Sequence, residues 1–71
     1  MPIINVTTWE GQDDEIAREL MIALTNATRE VTGAPLDKIT VYIHEVPKNR
    51  WAEAGSIGSD PDFPIASRRQ Q

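Results

Sequence analysis

The sequence predicts an α/β (α+β) fold: a single β-α-β unit with parallel strands and a short C-terminal hairpin, in a chain that assembles as an oligomer. Residues 3–9 are rich in β-branched side chains, residues 13–32 space their apolar side chains by three and four, and residues 39–46 alternate. A helix between two strands is the usual crossover between parallel strands, and it is right-handed in nearly all known cases. We therefore expect the strands to lie side by side with the helix on one face.

The first strand and the helix have recognisable ends. Trp9 closes the strand, and Gly11 supplies a turn before the helix. Acidic residues at 13–15 complement the dipole at the start of the helix, and Gly33 suits its end. The apolar residues expected on the buried helix face are Ile16, Leu20, Ala23, Leu24, Ala27 and Val31, with Met21 packed beside Leu20 and Leu24 in the core.

The second strand, residues 39–46, ends at Pro47. Alternation places Tyr42 and His44 on the face opposite the neighbouring valine and isoleucine side chains. A sheet of two strands leaves one face bare and its edges unpaired, which invites pairing with other copies. If that face is a subunit interface, His44 is expected to be a hydrogen-bonded interface residue rather than a catalyst.

Small residues within 51–58 suit a short hairpin or loop after the second strand. We therefore expect a β-α-β domain over residues 2–58. Residues 59–71 form a polar and proline-bearing tail, in which Phe63 and Ile65 are apolar. We expect this tail to dock on a neighbouring subunit.

Size and composition narrow the classes of function. A chain of 71 residues has a small core, and chains of this size usually need further support. It has no cysteine and a single histidine, His44, which excludes disulfides and thiolate metal sites and argues against a histidine ligand cluster. Oligomerisation is the remaining support. We expect no metal and no cofactor.

Charge and hydropathy point away from nucleic acid and from membranes. The formal net charge is −4 and the isoelectric point is near 4.7, whereas nucleic-acid-binding domains usually present a basic face. No apolar stretch approaches the roughly 18–20 residues of a membrane span, and no signal peptide is evident. We therefore expect a cytoplasmic protein.

The first two residues, Met1 and Pro2, directly precede the first strand. Removal of the initiator methionine would leave Pro2 as an N-terminal secondary amine. An α-amino group titrates near neutrality, at about 7.7–8.0 in model peptides, and an apolar pocket disfavours its charged form. Pro2 is therefore a candidate catalytic base held in place by a strand.

The whole pattern resembles the 4-oxalocrotonate tautomerase family, over residues 2 to about 58. The segments that carry the resemblance are Pro2-Ile3-Ile4, Glu10-Gly11 with Asp14-Glu15, Gly33-Ala34-Pro35, and Glu45-Val46-Pro47-Lys48-Asn49-Arg50-Trp51. The resemblance implies β-α-β subunits that assemble as hexamers, and a prolyl nitrogen that moves a proton between an enol or dienol and its keto isomer. Such chemistry needs a base near neutral pKa and groups that stabilise an enolate oxygen.

The chain departs from the family pattern at two positions. Where well-known members carry arginines that grip carboxylate and carbonyl oxygens, this sequence has Gln12 and Thr40. Neither residue is charged, so a bidentate clamp on a dicarboxylate is missing and the usual hexadienedioate substrate is in doubt. Arg50 is the nearest cationic candidate for an anionic substrate, although an arginine in a polar turn is usually only solvated.

Trp51 matches the family's aromatic residue, often phenylalanine, that lines the pocket and keeps the proline in a low-dielectric setting. An indole there preserves desolvation and adds an N–H donor.

Glu53 has two interpretations. In the α subunit of trans-3-chloroacrylate dehalogenase, from the same superfamily, a glutamate at the matching place activates water for addition to a double bond. By that resemblance Glu53 is a general base for hydration. That subunit also uses arginines in its first loop, where this chain has Trp9 and Gln12. The alternative is an exposed hairpin glutamate.

Three hypotheses follow. The main one is an isomerase: a homohexameric, cofactor-independent tautomerase in which Pro2 moves a proton on a small enol or 2-keto acid. The second is a hydratase or dehalogenase-like enzyme in which Glu53 activates water and Pro2 acts as general acid. The third is a non-catalytic partner subunit of a mixed hexamer, motivated by the two absent arginines.

Overall fold

The computed structural model of the chain describes residues 1–63. In chain order its helices and strands are β1 (Ile3–Trp9), α1 (Asp14–Thr32), β2 (Thr40–Val46), β3 (Ala52–Glu53) and β4 (Ser56–Ile57). A short 3₁₀ turn precedes β2 and another follows it. The predicted β-α-β unit with a C-terminal hairpin is confirmed. The helix and the second strand each begin one residue later than the sequence predicted.

Helix α1 is capped at both ends: Gly33 ends it as expected, and Asp13, expected as its first residue, is its N-cap. Asp13 is extended, and its Oδ1 accepts a hydrogen bond from the backbone N–H of Glu15 at 3.2 Å. Gly33 adopts the left-handed conformation, with φ 76°, and its N–H donates to the carbonyl of Arg29 at 2.8 Å. A residue with a Cβ would be strained at that φ, which is why glycine ends the helix.

Strands β1 and β2 are parallel and pair along their whole length, from Ile3 opposite Thr40 to Trp9 opposite Val46. The ladder extends one step before β1, where the N–H of Thr40 donates to the carbonyl of Pro2 at 3.1 Å. Proline has no N–H to offer a ladder, so it fits at this entry to the strand. The register therefore fixes the position of Pro2.

The hairpin β3–β4 is antiparallel and pairs Ala52 with Ile57 and Glu53 with Ser56. Its two-residue turn is Ala54-Gly55, with φ values of 53° and 81°. Positive φ at both central positions matches the right-handed twist of the flanking strands. The turn thus carries the chain back across Trp51 and toward the end of β1.

The single chain has little core. Among residues 1–63, Phe63 is the one buried hydrophobic side chain, at 4 % exposure. Leu20, Met21 and Leu24 are half-buried on the side of α1 that covers the sheet, whereas Ile16 and Val31 are exposed. The predicted apolar helix face is therefore wider than the two-stranded sheet beneath it.

The opposite face of the sheet is bare, as the alternation predicted. Tyr42 and His44 are exposed, and their rings meet edge to face with centroids 5.3 Å apart. His44 Nδ1 also lies 3.4 Å from the side-chain nitrogen, Nδ2, of Asn5 on β1. No helix within residues 1–63 combines the length and apolarity that crossing a membrane requires.

The tail expected to dock on a neighbour begins at residue 59, and Phe63 within it packs against Trp9 of its own chain. Residues 64–71, which include Ile65, lie outside the described part of the chain. The proposed contact of the tail with another subunit remains a prediction.

Candidate functional site

The six candidate residues lie at two opposite ends of the parallel sheet. Pro2 and Thr40 are at the end where β1 and β2 begin. The other four follow the ends of these strands: Gln12 comes after β1, and Arg50, Trp51 and Glu53 come after β2. A seven-residue strand separates the two groups, which corresponds to roughly 20 Å. One chain alone does not bring its proposed base to its proposed aromatic wall.

At the first end, Pro2 is half-buried and Met1 is 84 % exposed. Pro2 borders a groove of about 450 Å³ between β1 and the second half of α1, lined also by Ile4, Leu24 and Val31. These neighbours are apolar and suit a base whose charged form should be disfavoured. Thr40 is exposed and faces a different groove, beside Met21 and Ile39.

At the second end, Trp51 and Glu53 form a hydrogen-bonded pair. The indole Nε1 of Trp51 donates to Glu53 Oε2 at 3.0 Å, and both residues are half-buried. The Trp51 N–H, which the sequence analysis proposed as a donor to the pocket, therefore donates to Glu53 of the same chain. Trp51 is extended and directly precedes β3, and side chains two positions apart in an extended chain point to the same side, which explains why residues 51 and 53 meet.

Trp9 completes an aromatic wall with Trp51. The two indoles meet edge to face, with centroids 6.1 Å apart and planes at 84°. Together with Thr7 and Thr8 they line a cavity of about 320 Å³. Offset and edge-to-face contacts are the favoured geometry for aromatic pairs, so the two rings form one coherent surface.

Several polar atoms beside this cavity are buried without a partner among the described residues: Thr8 Oγ1, Trp9 Nε1 and Gln12 Oε1. Unpaired buried polar atoms are uncommon because each costs free energy. Gln12 sits in the loop between β1 and α1, where the family pattern has an arginine, and its amide oxygen can accept but carries no charge.

Two cations lie in the 3₁₀ turn after β2. Lys48 places its Nζ 4.8 Å from the centroid of a Trp9 ring, within the range of a cation–π interaction. Arg50 is exposed, and its Nη1 lies 3.5 Å from the carbonyl of Asn49. The sequence analysis put forward Arg50 as the cation, whereas the structure places Lys48 on the aromatic wall.

Trp9, Lys48 and Phe63 were not among the candidate residues. Trp9 was noted at the end of a strand and at an arginine position of the related dehalogenase, and Lys48 as part of a segment that carries the resemblance, but neither was given a role in the site. A large aromatic side chain at a strand end, opposite a turn that holds a second indole, is the signal that could have marked Trp9. Phe63 had no such signal, because the path of the chain after β4 cannot be read from side-chain periodicity.

Within residues 1–63 no group of three acidic or histidine side chains is arranged to hold a metal ion. The structure has a strand-anchored proline at one end and, at the other, an aromatic cavity whose two indoles contact a carboxylate, Glu53, and a cation, Lys48. These two sets of residues lie at opposite ends of one chain.

Comparison with known proteins agrees with this geometry. Residues 2–60 match the family model described as "Tautomerase enzyme". Among characterised sequences, the chain is 43% identical over 60 residues to 2-hydroxymuconate tautomerase from Bacillus subtilis (strain 168), covering 84% of this chain and 97% of that protein.

Solved structures give the same result. A crystal structure of YwhB, described as a homologue of 4-oxalocrotonate tautomerase, has a TM-score of 0.80 and 42% identity and covers 83% of this chain and 97% of that one. A heterohexameric 4-oxalocrotonate tautomerase from Chloroflexus aurantiacus J-10-fl has a TM-score of 0.81 and 30% identity, covering 86% and 98%. Solved structures of 4-oxalocrotonate tautomerases therefore include a hexamer built from more than one kind of subunit.

Proposed function

Because this chain belongs to the tautomerase family, we propose that it is a cofactor-independent tautomerase in which the amine of Pro2, freed by removal of Met1, is the general base. The substrate is a small enol or 2-keto acid. The observation that carries this proposal is the anchoring of Pro2 through its carbonyl to Thr40 N–H at 3.1 Å, which leaves the prolyl nitrogen out of the sheet. An exposed Met1 is accessible to an aminopeptidase.

The proposed chemistry is a proton shift. The unprotonated amine removes the hydroxyl proton of the enol, the electron pair moves through the conjugated system, and the resulting prolinium returns the proton to carbon to give the ketone. A positioned base contributes roughly 10²–10⁴-fold to such a step. A retained Met1 would turn the same nitrogen into an amide, which has no basicity.

We propose that the working site forms between copies of the chain. Pro2 and Trp51 lie at opposite ends of the sheet, so a site that contains both needs a second copy. The single chain also leaves Ile3 60 % exposed and Tyr42 40 % exposed on its bare sheet face. Burial of such apolar surface is the usual driving force for association. A homohexamer is the assembly we expect, with a mixed hexamer as its alternative.

The candidate residues at the two ends of the sheet favour a monocarboxylate over a dicarboxylate. Gln12 and Thr40 carry no charge, and Glu53 places a negative group beside Trp51. A dicarboxylate would need two cationic partners, and both arginine positions of the family pattern hold neutral residues here. Lys48 and Arg50 offer cations for one carboxylate.

The test compares the processed wild-type protein with Pro2→Ala, each verified by intact mass to lack Met1. Ketonisation of phenylenolpyruvate and of 2-hydroxymuconate is followed spectroscopically. Pro2→Ala still has a primary amine at its N-terminus but lacks the ring that fixes the direction of the nitrogen, and we expect it to lose roughly 100-fold in kcat/KM. A wild-type protein inactive on both enols, or a variant with full activity, would falsify the proposal.

A third sample, in which Met1 is retained, separates the amine from the ring. We expect it to be as inactive as Pro2→Ala, because its prolyl nitrogen is an amide. Activity that survives with Met1 in place would show that the nitrogen is not the base.

The contact between Trp51 and Glu53 favours one second candidate function, hydration of an unsaturated acid. The hydrogen bond orients the carboxylate at the rim of the cavity, where it could remove a proton from water. In that reaction Pro2 is protonated and acts as the acid. Glu53→Gln keeps an acceptor for Trp51 but is not a base. Hydration of 2-oxo-3-pentynoate or trans-3-chloroacrylate by wild type, lost in Glu53→Gln while ketonisation is kept, would support this candidate.

The mixed-hexamer alternative is tested by native mass spectrometry of the protein expressed by itself. A homohexamer with ketonisation activity excludes the role of a non-catalytic partner. An inactive chain that becomes active only with a second homologous subunit supports that role.

A further inference from the structure

Phe63 is the most deeply buried hydrophobic residue of the described chain, and it lies past the segment that matches the tautomerase family model. Its side chain is 4 % exposed, while the family match ends at residue 60. Its ring packs on Trp9, with centroids 5.6 Å apart and planes at 57°. A residue beyond the family match is therefore buried against a residue within it.

The backbone brings Phe63 to Trp9 through two successive turns. The N–H of Asp60 donates to the carbonyl of Ile57 at 3.0 Å, and the N–H of Phe63 donates to the carbonyl of Asp60 at 3.1 Å. Before them, the N–H of Gly58 donates to the carbonyl of Trp51 at 2.7 Å. The path from the hairpin to Phe63 is therefore hydrogen-bonded at each step.

Gly58 lets this path run close to the aromatic wall. A Cβ at residue 58 would lie 2.9 Å from the carbonyl oxygen of Lys48 and 3.3 Å from Cζ2 of Trp9. Backbone atoms at residue 58 therefore pack directly against the indole that Phe63 also contacts.

Trp9 is thus held by three neighbours. Phe63 packs on it at 5.6 Å, Trp51 meets it edge to face at 6.1 Å, and Lys48 lies over a ring at 4.8 Å. Trp9 and Trp51 line the 320 Å³ cavity, whereas Phe63 does not. Any effect of Phe63 on the cavity is therefore exerted through Trp9.

We propose that Phe63 is a positioning residue that holds the Trp9 indole against Trp51 and so sets the shape of the cavity that receives the substrate's apolar part. The aromatic walls suit a flat apolar group on an acid, such as a phenyl ring. The assignment of the cavity to substrate rests on the proposed function. The packing of Phe63 on Trp9, and binding of a flat aromatic acid in the cavity, do not require catalysis.

The experiment uses the full chain carrying Phe63→Ala, with Phe63→Leu as a milder variant. Asp62→Ala is the matched control, since Asp62 is the exposed neighbour in the same turn. Far-UV circular dichroism and native mass spectrometry verify fold and assembly. The two tryptophans of the chain are both in the wall, so intrinsic fluorescence reports on it directly. Quenching by trans-cinnamate, an unreactive aromatic monoacid, gives a binding constant.

We expect Phe63→Ala to move the tryptophan emission to longer wavelength and to weaken cinnamate binding roughly 2- to 10-fold. The KM for phenylenolpyruvate rises by a similar factor, while kcat stays within about twofold because Pro2 is not altered. Phe63→Leu restores part of the loss, and Asp62→Ala matches wild type.

Unchanged emission and unchanged cinnamate affinity in a folded Phe63→Ala protein would overturn the inference. If kcat falls by the same factor as the affinity for cinnamate, and native mass spectrometry shows that the assembly is broken, Phe63 serves general stability instead. If wild type ketonises no enol but cinnamate binds and Phe63→Ala weakens it, the proposed function fails and the positioning role of Phe63 stands.

Discussion

The indole nitrogen of Trp51 donates a 3.0 Å hydrogen bond to the carboxylate of Glu53, two residues further along the same arm of the hairpin. This contact fixes two side chains that the sequence could only place near each other. Because the Trp51 N–H already donates to Glu53, it is not available to donate a hydrogen bond to a ligand in the cavity.

We expect Glu53→Ala to lower the free energy of unfolding by about 1–2 kcal/mol, because the Trp51 N–H then loses a charged acceptor in a half-buried place. Glu53→Gln keeps an amide oxygen as acceptor and should cost less. Urea unfolding of both variants at one fixed protein concentration checks the order. Equal stability of Glu53→Ala and wild type would show that the hydrogen bond contributes nothing measurable.

Gly58→Ala should destabilise the chain by about 1–3 kcal/mol, because the added methyl group would lie 2.9 Å from the Lys48 carbonyl oxygen. The backbone oxygen belongs to a 3₁₀ turn and cannot move as a flexible side chain would. Thermal unfolding followed by circular dichroism measures the effect. Ser59→Ala, at the next and exposed position, is the control and should stay within about 0.5 kcal/mol of wild type.

Tyr42→Lys should dissociate the assembly, because it places a charge on the bare sheet face that we propose another copy covers. Size-exclusion chromatography with light scattering at micromolar concentration should show smaller species. Glu19→Lys, on an exposed position of α1, makes a larger change in charge and should leave the assembly intact. If Tyr42→Lys keeps the oligomer of the wild type, the bare face is not the interface.

Mixing two inactive variants should restore activity if Pro2 and Trp51 of different copies share a site. Pro2→Ala and Trp51→Ala are unfolded together and refolded as a mixture, and random assembly then gives about a quarter of the sites both native residues. Each variant refolded alone is the control. A mixture no more active than its components would place both residues in a site built from one chain, contrary to the roughly 20 Å between the sheet ends.

The local elements of this fold could be predicted from sequence because each one has a local signal. The β-branched run gave the bounds of β1, and Asp13 and Gly33 marked the ends of α1. These signals depend on side-chain spacing and on backbone preferences of single residues. Neither the side-chain spacing nor the backbone preferences depend on contacts with the rest of the chain.

The contacts of the aromatic wall could not be predicted in the same way. Trp9 meets Trp51 and Phe63 across separations of about forty and fifty residues in the sequence, after a crossover, a hairpin and two turns. The width of the apolar band on α1 could be predicted from the sequence. Which part of that band the sheet covers depends on how many strands the sheet has. Val31 is therefore apolar by pattern and 84 % exposed in the chain.

Pro2 performs two tasks with different atoms. Its carbonyl oxygen accepts the first rung of the β1–β2 ladder, while its ring nitrogen takes no part in that ladder. The fastening of the sheet and the acid–base role we assign to the nitrogen are therefore separable within one residue. A chain whose secondary prolyl amine is replaced by the primary amine of another residue, or is turned into an amide by a retained Met1, still closes its sheet at the same register. Loss of the chemistry at this position need not carry a cost in folding.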